Sequence, residues 1–104
     1  MRGDVHQLKA PRNIRGHEQT GARYGVIVHS DDLVLSTILV APTSTSAQPR
    51  IFRPTIMVND LATQVLVEQT AAIDPERLGP FVGHVTLNEL SAIDAALLLA
   101  LALD

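Results

Sequence analysis

At 104 residues and 11.2 kDa the chain is long enough for one buried core and too short for two, so a single domain over 1–104 is expected. Its 46% hydrophobic and 18% charged residues argue against disorder, three aromatics (Tyr24, Phe52, Phe81) argue against a platform of stacked rings, and the lack of cysteine excludes disulfides and thiolate metal sites. The net charge of −3 hides a division: residues 1–53 carry seven bases against four acids, or +3, and residues 54–104 one base against seven acids, or −6, which directs the search for an anionic ligand to the first half.

Asp4 to Lys9 alternates loosely and reads as a first strand closed by Pro11, and Arg12 to Gly21 reads as a long polar loop. Two short β-branched runs, Arg23 to His29 and Thr37 to Ala41, read as buried strands with a turn at Ser30-Asp31-Asp32 between them. The stretch from Pro42 to Pro49 is expected to leave the sheet, which Phe52 to Val58 rejoins. Asn59-Asp60 turns the chain into a strand over Gln64 to Gln69. Asp74-Pro75-Glu76 then caps one helical turn, which Gly79-Pro80 ends.

Thr86-Leu87-Asn88-Glu89 is a capping box, because the Thr86 hydroxyl and the Glu89 carboxylate can each satisfy the other's free backbone amide. A helix from about Leu87 to Leu101 follows, with Leu90, Ile93, Leu97 and Leu101 on one face and Leu98 and Leu99 beyond it. Apolar surface on more than one side points to an oligomer. The longest apolar run, Ala95 to Leu103, is nine residues, where a membrane span needs about 20. The polar N-terminus has no apolar signal-peptide core, so a cytoplasmic protein without membrane partner is expected. Together these elements give a mainly β fold, a small curved sheet or barrel with a C-terminal helix against it.

Nucleotide-loop, hydrolase-elbow and zincin signatures are absent. None of His6, His17, His29 and His84 has metal-clip spacing, so neither metal nor cofactor is expected. Two polar segments border the buried strands. Arg15 to Arg23 (R-G-H-E-Q-T-G-A-R) carries Glu18, Gln19 and Arg23 around two glycines, and Ala41 to Ser46 (A-P-T-S-T-S) presents hydroxyls. An arginine fork with a Ser or Thr hydroxyl suits a phosphoester. A hydrogen-bonded turn with a Glu18–Arg23 surface ion pair accounts for the same residues.

R-G-D-V, R-G-H-E-Q-T-G-A-R before V-I-V, V-A-P-T-S-T-S, V-L-V-E-Q-T-A-A-I-D, R-L-G…G-H-V and the terminal helix, in that order over nearly the whole chain, resemble the MazF/PemK family of toxin endoribonucleases. The resemblance implies an SH3-like small β-barrel of the kind shared with the CcdB-type toxins. It also implies a homodimer, metal-independent cleavage of single-stranded RNA, and a cognate antitoxin protein as partner. By the same resemblance Arg23 falls on the catalytic arginine, Glu18 on the acidic residue of the E-Q-x-G segment, and Ser44 on the catalytic hydroxyl, with Thr43 and Thr45 beside it. Arg15, His17, Gln19, Arg50 and Arg53 complete the expected RNA contacts. Tyr24 stands where the family usually has Pro, Ser44 where it commonly has Thr, and the loop between Val28 and Ile38 is shorter. Two other readings share the fold: a toxin that poisons DNA gyrase through its C-terminal helix, and a silent paralogue that only binds an antitoxin.

Overall fold

The computed structural model describes residues 1–9 and 23–103. Within these residues run β1 (Asp4–Leu8), β2 (Arg23–Ile27), β3 (Ile38–Ser44), β4 (Thr55–Val58), β5 (Leu61–Val65), β6 (Ala71–Ile73), β7 (Leu78–His84) and the helix α1 (Leu87–Ala100). The sheet order is β4-β5-β3-β2-β1-β7, with β6 also paired to β3. All these pairings are antiparallel. The architecture is a strongly curved, mostly β half-barrel carrying one C-terminal helix.

The curvature comes from β3, which changes partners halfway. Its first half faces β6 (Ile38↔Ile73 to Val40↔Ala71) and its end faces β5 (Thr43↔Val65, Ser44↔Gln64). The sequence reading ended this strand before Pro42, but the strand runs through it, with Pro42 opposite Gly25. Pro42 lacks an amide to donate, and it falls in the gap between the β6 and β5 ladders, where its carbonyl accepts the Leu66 amide at 2.8 Å. Pro80 is tolerated for a related reason. It lies inside β7 rather than ending a turn, and β7 pairs only with β1, through two register shifts.

Alternation along β2 and β3 sends side chains to two cores. Val26 and Ala41 join Val5, Ile56, Val65 and Ile93 in the main one, whereas Ile27 and Val40 meet Ile73 in a second, on the other face. Strands buried on both faces read as unbroken apolar runs, as Val26-Ile27-Val28 and Ile38-Leu39-Val40 do. Elsewhere the strand bounds differ from those expected: β5 starts at Leu61 and ends at Val65, so it shares only Gln64 and Val65 with the expected strand Gln64–Gln69. The sheet resumes at Thr55 rather than Phe52, and Glu68-Gln69 sits in a 3-10 turn (Val67–Gln69) rather than a strand.

Local signals hold where the chemistry is local. Asn59 and Asp60 both adopt positive φ (50° and 66°), the conformation of a tight hairpin between β4 and β5. The Asp74 carboxylate caps the Pro75–Arg77 turn by accepting the Glu76 amide at 2.9 Å. The Thr86/Glu89 capping box closes with bonds of 3.1 and 2.8 Å. Glu89 does more than cap: its second carboxylate oxygen takes the Met57 amide of β4 at 2.8 Å, fixing the helix start to the sheet. Below it α1 buries Ile93 and Ala96, and Leu90 and Leu97 pack partly. Leu101, expected on that face, is exposed at the C-cap, past the edge of the core.

Candidate functional site

The ends of β2 and β3 bring the two polar segments together. Their ladder pairs Ile27↔Val40, Val26↔Ala41 and Gly25↔Pro42, and the same register continued by two residues sets Ser44 opposite Arg23. The strands stay adjacent there, since Thr43 Oγ1 donates to the Tyr24 carbonyl at 3.0 Å. Gly25 makes the approach possible, because a Cβ at that position would collide with the Val40 side chain.

Arg23 opens β2 as an exposed residue, and no ion pair among the described residues uses it. Tyr24 points to the opposite face, where it packs on the main core and its hydroxyl accepts from Asn59 Nδ2 at 3.2 Å. The residue standing in place of the family's usual Pro is therefore a core side chain turned away from Arg23. Ser44 Oγ accepts the amides of Ser46 (3.2 Å) and Ala47 (3.0 Å), which folds the following chain back over the strand end and leaves Thr45 exposed.

The next arginines are held by their own surroundings. Arg53 donates from Nε and Nη2 to one oxygen of Glu68 (3.0 and 2.7 Å) and from Nη1 to the Gln48 carbonyl (3.0 Å), with its guanidinium 5.6 Å from the Phe52 ring centre. The Arg53 side chain holds the Glu68 carboxyl below the usual glutamate range. Arg50 is exposed and folded onto the Pro49 carbonyl and Gln48 Oε1, each at 2.8 Å. Arg12, Arg15, His17, Glu18 and Gln19 lie outside the described residues.

One residue at the site was not singled out from sequence. Gln64 of β5 stands opposite Ser44 on one side and Thr55 on the other, and its Oε1 is buried without a hydrogen bond among the described residues. The alternation of L-A-T-Q-V, with Thr63 and Val65 in the core, sets Gln64 on the other face and is the signal that could have found it. His84 has a structural place: Nδ1 lies 2.6 Å from the Val85 carbonyl and Nε2 3.0 Å from that of Arg2. Among the described residues, no three or more His, Asp and Glu gather to hold a metal ion. No helix there is long and apolar enough to cross a membrane.

A half-barrel of this topology is the fold of the MazF toxins. A mycobacterial endoribonuclease solved in complex with its cognate antitoxin superposes with a TM-score of 0.80 over 100% of this chain and 96% of that one, at 20% identity. Mycobacterium tuberculosis toxin MazF-mt6 gives 0.78 over 97% and 98% at 19% identity, and MazF from Deinococcus radiodurans 0.74 over 97% and 94% at 19%. In sequence, the family model described as PemK-like, MazF-like toxin of type II toxin-antitoxin system matches residues 1–101. A protein of Mycobacterium tuberculosis (strain ATCC 25618 / H37Rv) named "Putative toxin Rv3098A/RVBD_3098A" is 42% identical over 73 residues, 70% of this chain and 69% of that protein. The chain belongs to the PemK-like, MazF-like toxins of type II toxin–antitoxin systems.

Proposed function

We propose that this toxin is an endoribonuclease that cleaves single-stranded RNA by attack of a ribose 2′-hydroxyl on the adjacent phosphorus. The observation that carries the reading is the register of β2 against β3, which, continued by two residues past Gly25↔Pro42, sets Arg23 beside Ser44. A bond forms from the 2′ oxygen to phosphorus and the bond to the 5′ oxygen breaks. The products are a 2′,3′-cyclic phosphate and a 5′-hydroxyl; a proton leaves the 2′ oxygen and another reaches the departing 5′ oxygen.

Negative charge grows on the nonbridging oxygens during this step, so donors fixed toward them carry most of the acceleration. Arg23 supplies a charge-assisted fork. Ser44 Oγ accepts two amides and lies 3.4 Å from Ser46 Oγ, a long contact that a phosphate oxygen would replace as acceptor of the Ser44 proton. Glu18 would orient Arg23 or accept the 2′-hydroxyl proton, and Arg15, His17, Gln19, Thr43, Thr45, Arg50 and Arg53 would shape the binding of the strand. The antitoxin-bound mycobacterial structure supports a cognate antitoxin as the protein partner. The exposed Leu98, Leu99, Leu101 and Leu103 at the end of α1 support a homodimer.

The test is incubation of the purified toxin with labelled single-stranded RNA in EDTA, with cyclic-phosphate termini as the readout. Cleavage is expected, and Arg23→Ala should slow it by about a hundredfold or more. Full activity of that variant overturns the assignment.

A further inference from the structure

We infer that Phe81, braced by His6, is the platform on which one base of the RNA strand stacks; the inference rests on the RNA reading of the Arg23–Ser44 pair. Alternation divides the side chains of the sheet between two faces. Val5, Tyr24 and Val26 serve the main core, so His6, Leu8, Arg23 and Ile27 belong to the other face. Directly opposed residues of antiparallel strands send their side chains to the same face, and His6 stands opposite Gly25 of β2 and Phe81 of β7. Leu8, two residues along β1, stands opposite Arg23. His6 is therefore the diagonal neighbour of Arg23, and Phe81 is the next side chain beyond it on that face. Two strand spacings of about 4.8 Å and two residues of about 3.3 Å set the Cα atoms of Phe81 and Arg23 roughly 12 Å apart.

A single exposed apolar side chain is ordinary on a protein surface. Phe81 differs in being exposed and yet held. It is 60% exposed, and its ring meets that of His6 edge to face, with centres 5.6 Å apart and planes at 77°. The His6 ring is itself fixed, because its Nδ1 donates to the Gly79 carbonyl at 2.9 Å. A ring already held in one orientation loses little freedom when a flat partner covers it. Charge says what that partner is attached to. Lys9, one residue past Leu8, is exposed and, like Arg23, forms no ion pair among the described residues. An aromatic face beside such cations is the arrangement that holds a single strand, with phosphates on the charges and a base on the ring. With the reacting phosphate at Arg23, the base that falls on Phe81 lies about one or two nucleotides along the strand. Stacking accepts any base, so the platform supplies affinity and register rather than sequence choice.

The experiment titrates the full-length toxin with two labelled octamers that lack the attacking hydroxyl: a mixed-sequence pool of 2′-fluoro RNA, and a strand of abasic tetrahydrofuran units that offers the phosphates alone. Far-ultraviolet circular dichroism verifies the fold of each variant and light scattering its mass. Phe81→Leu, which keeps the apolar bulk and removes the ring, should weaken binding of the pool about tenfold and leave binding of the abasic strand unchanged. Phe81→Trp should bind the pool at least as tightly as the wild type. Since the chain has no tryptophan of its own, the emission of that variant should be quenched by the pool and not by the abasic strand. Pool binding unchanged in Phe81→Leu, a loss equal on both strands, tryptophan emission indifferent to the pool, or a wild type that binds neither strand overturns the inference. A mass that changes with Phe81→Leu while RNA binding does not also overturns it, and assigns the ring to a second copy of the chain. Cleavage of an unmodified RNA pool, measured in parallel, separates the two readings. Phe81-dependent binding of bases without cleavage overturns the nuclease assignment alone, and cleavage with pool binding indifferent to Phe81 overturns this inference alone.

Discussion

Thr43 and Ser44 carry the same functional group in opposite hydrogen-bond states. Thr43 donates its proton to the Tyr24 carbonyl at 3.0 Å, whereas Ser44 receives two amides and has only the long 3.4 Å contact with Ser46 Oγ to compete with a ligand for its proton. Ser44→Ala should therefore reduce single-turnover RNA cleavage by about a hundredfold, the scale of one lost transition-state donor, and Ser44→Thr should restore most of it. Thr43→Ala removes one strand-to-strand bond, about 1 kcal/mol of stability, and should keep most of the activity. A dead Thr43→Ala with an active Ser44→Ala would move the hydroxyl by one position. The Arg53–Glu68 pair makes a prediction in pH. The carboxyl of Glu68 titrates lower in the folded chain than in the unfolded one, so its contribution to stability is present above the unfolded value, about pH 4, and is lost as pH falls through the folded one. Urea denaturation of the wild type and Glu68→Gln should differ more at about pH 7 than at about pH 3. An equal difference at both pH values would show that the pair stabilises through packing rather than charge.

Glu89 joins two elements with one carboxylate: Oε1 takes the Thr86 amide and Oε2 the Met57 amide. Thr86→Ala should cost about 1 kcal/mol, the usual loss of a cap, and Glu89→Ala about 2 kcal/mol, because it also leaves a strand amide unmatched. Equal losses by thermal denaturation would show that the link to β4 adds nothing. The half of this arrangement that was legible in sequence is the local half. The capping box, the Asn59-Asp60 turn and the Asp74-Pro75 cap each complete their hydrogen bonds within four residues, so their residue types suffice to announce them. The Met57 bond, 32 residues away, has no such signature. Pro42 and Pro80 misled for the same reason: whether a missing amide breaks a strand depends on the neighbour at that point, and the neighbour is set by the change of partner along β3 and by the edge position of β7. At the site, Arg23 and Ser44 were legible as residue types bordering buried strands. Their approach, the place of Gln64 beside Ser44 and the capture of Arg53 by Glu68 are products of contact between segments apart in sequence.

The whole molecule is acidic, and the end of its helix is an apolar surface without a basic residue. Leu98 to Leu103 leaves Leu98, Leu99, Leu101 and Leu103 between 43% and 68% exposed, surface that α1 does not bury in its own core. If this end is the dimer contact, Leu98→Asp with Leu101→Asp should halve the mass seen by light scattering at micromolar concentration while the far-ultraviolet spectrum persists; an unchanged mass refutes that interface. Charge gives the last prediction. Of the three arginines described near the site, Arg53 is paired with Glu68, whereas Arg23 and Arg50 form no ion pair among the described residues. One phosphate on each makes two contacts per protomer, which, doubled across a dimer, contribute between about −1.4 and −2.8 to the slope of log affinity for single-stranded RNA against log salt, at roughly 0.7 per phosphate. Arg50→Glu should flatten that slope by about 0.7 per protomer and, if an acidic antitoxin segment uses the same surface, weaken antitoxin binding in parallel. Arg53→Glu should act differently, since it sets a second carboxylate against Glu68 and loosens the loop that carries Arg50; the exchange Arg53→Glu with Glu68→Arg should return the stability lost. Should Arg50→Glu abolish antitoxin binding and leave the RNA slope unchanged, the two ligands occupy different surfaces, and inhibition does not work by competition for this loop.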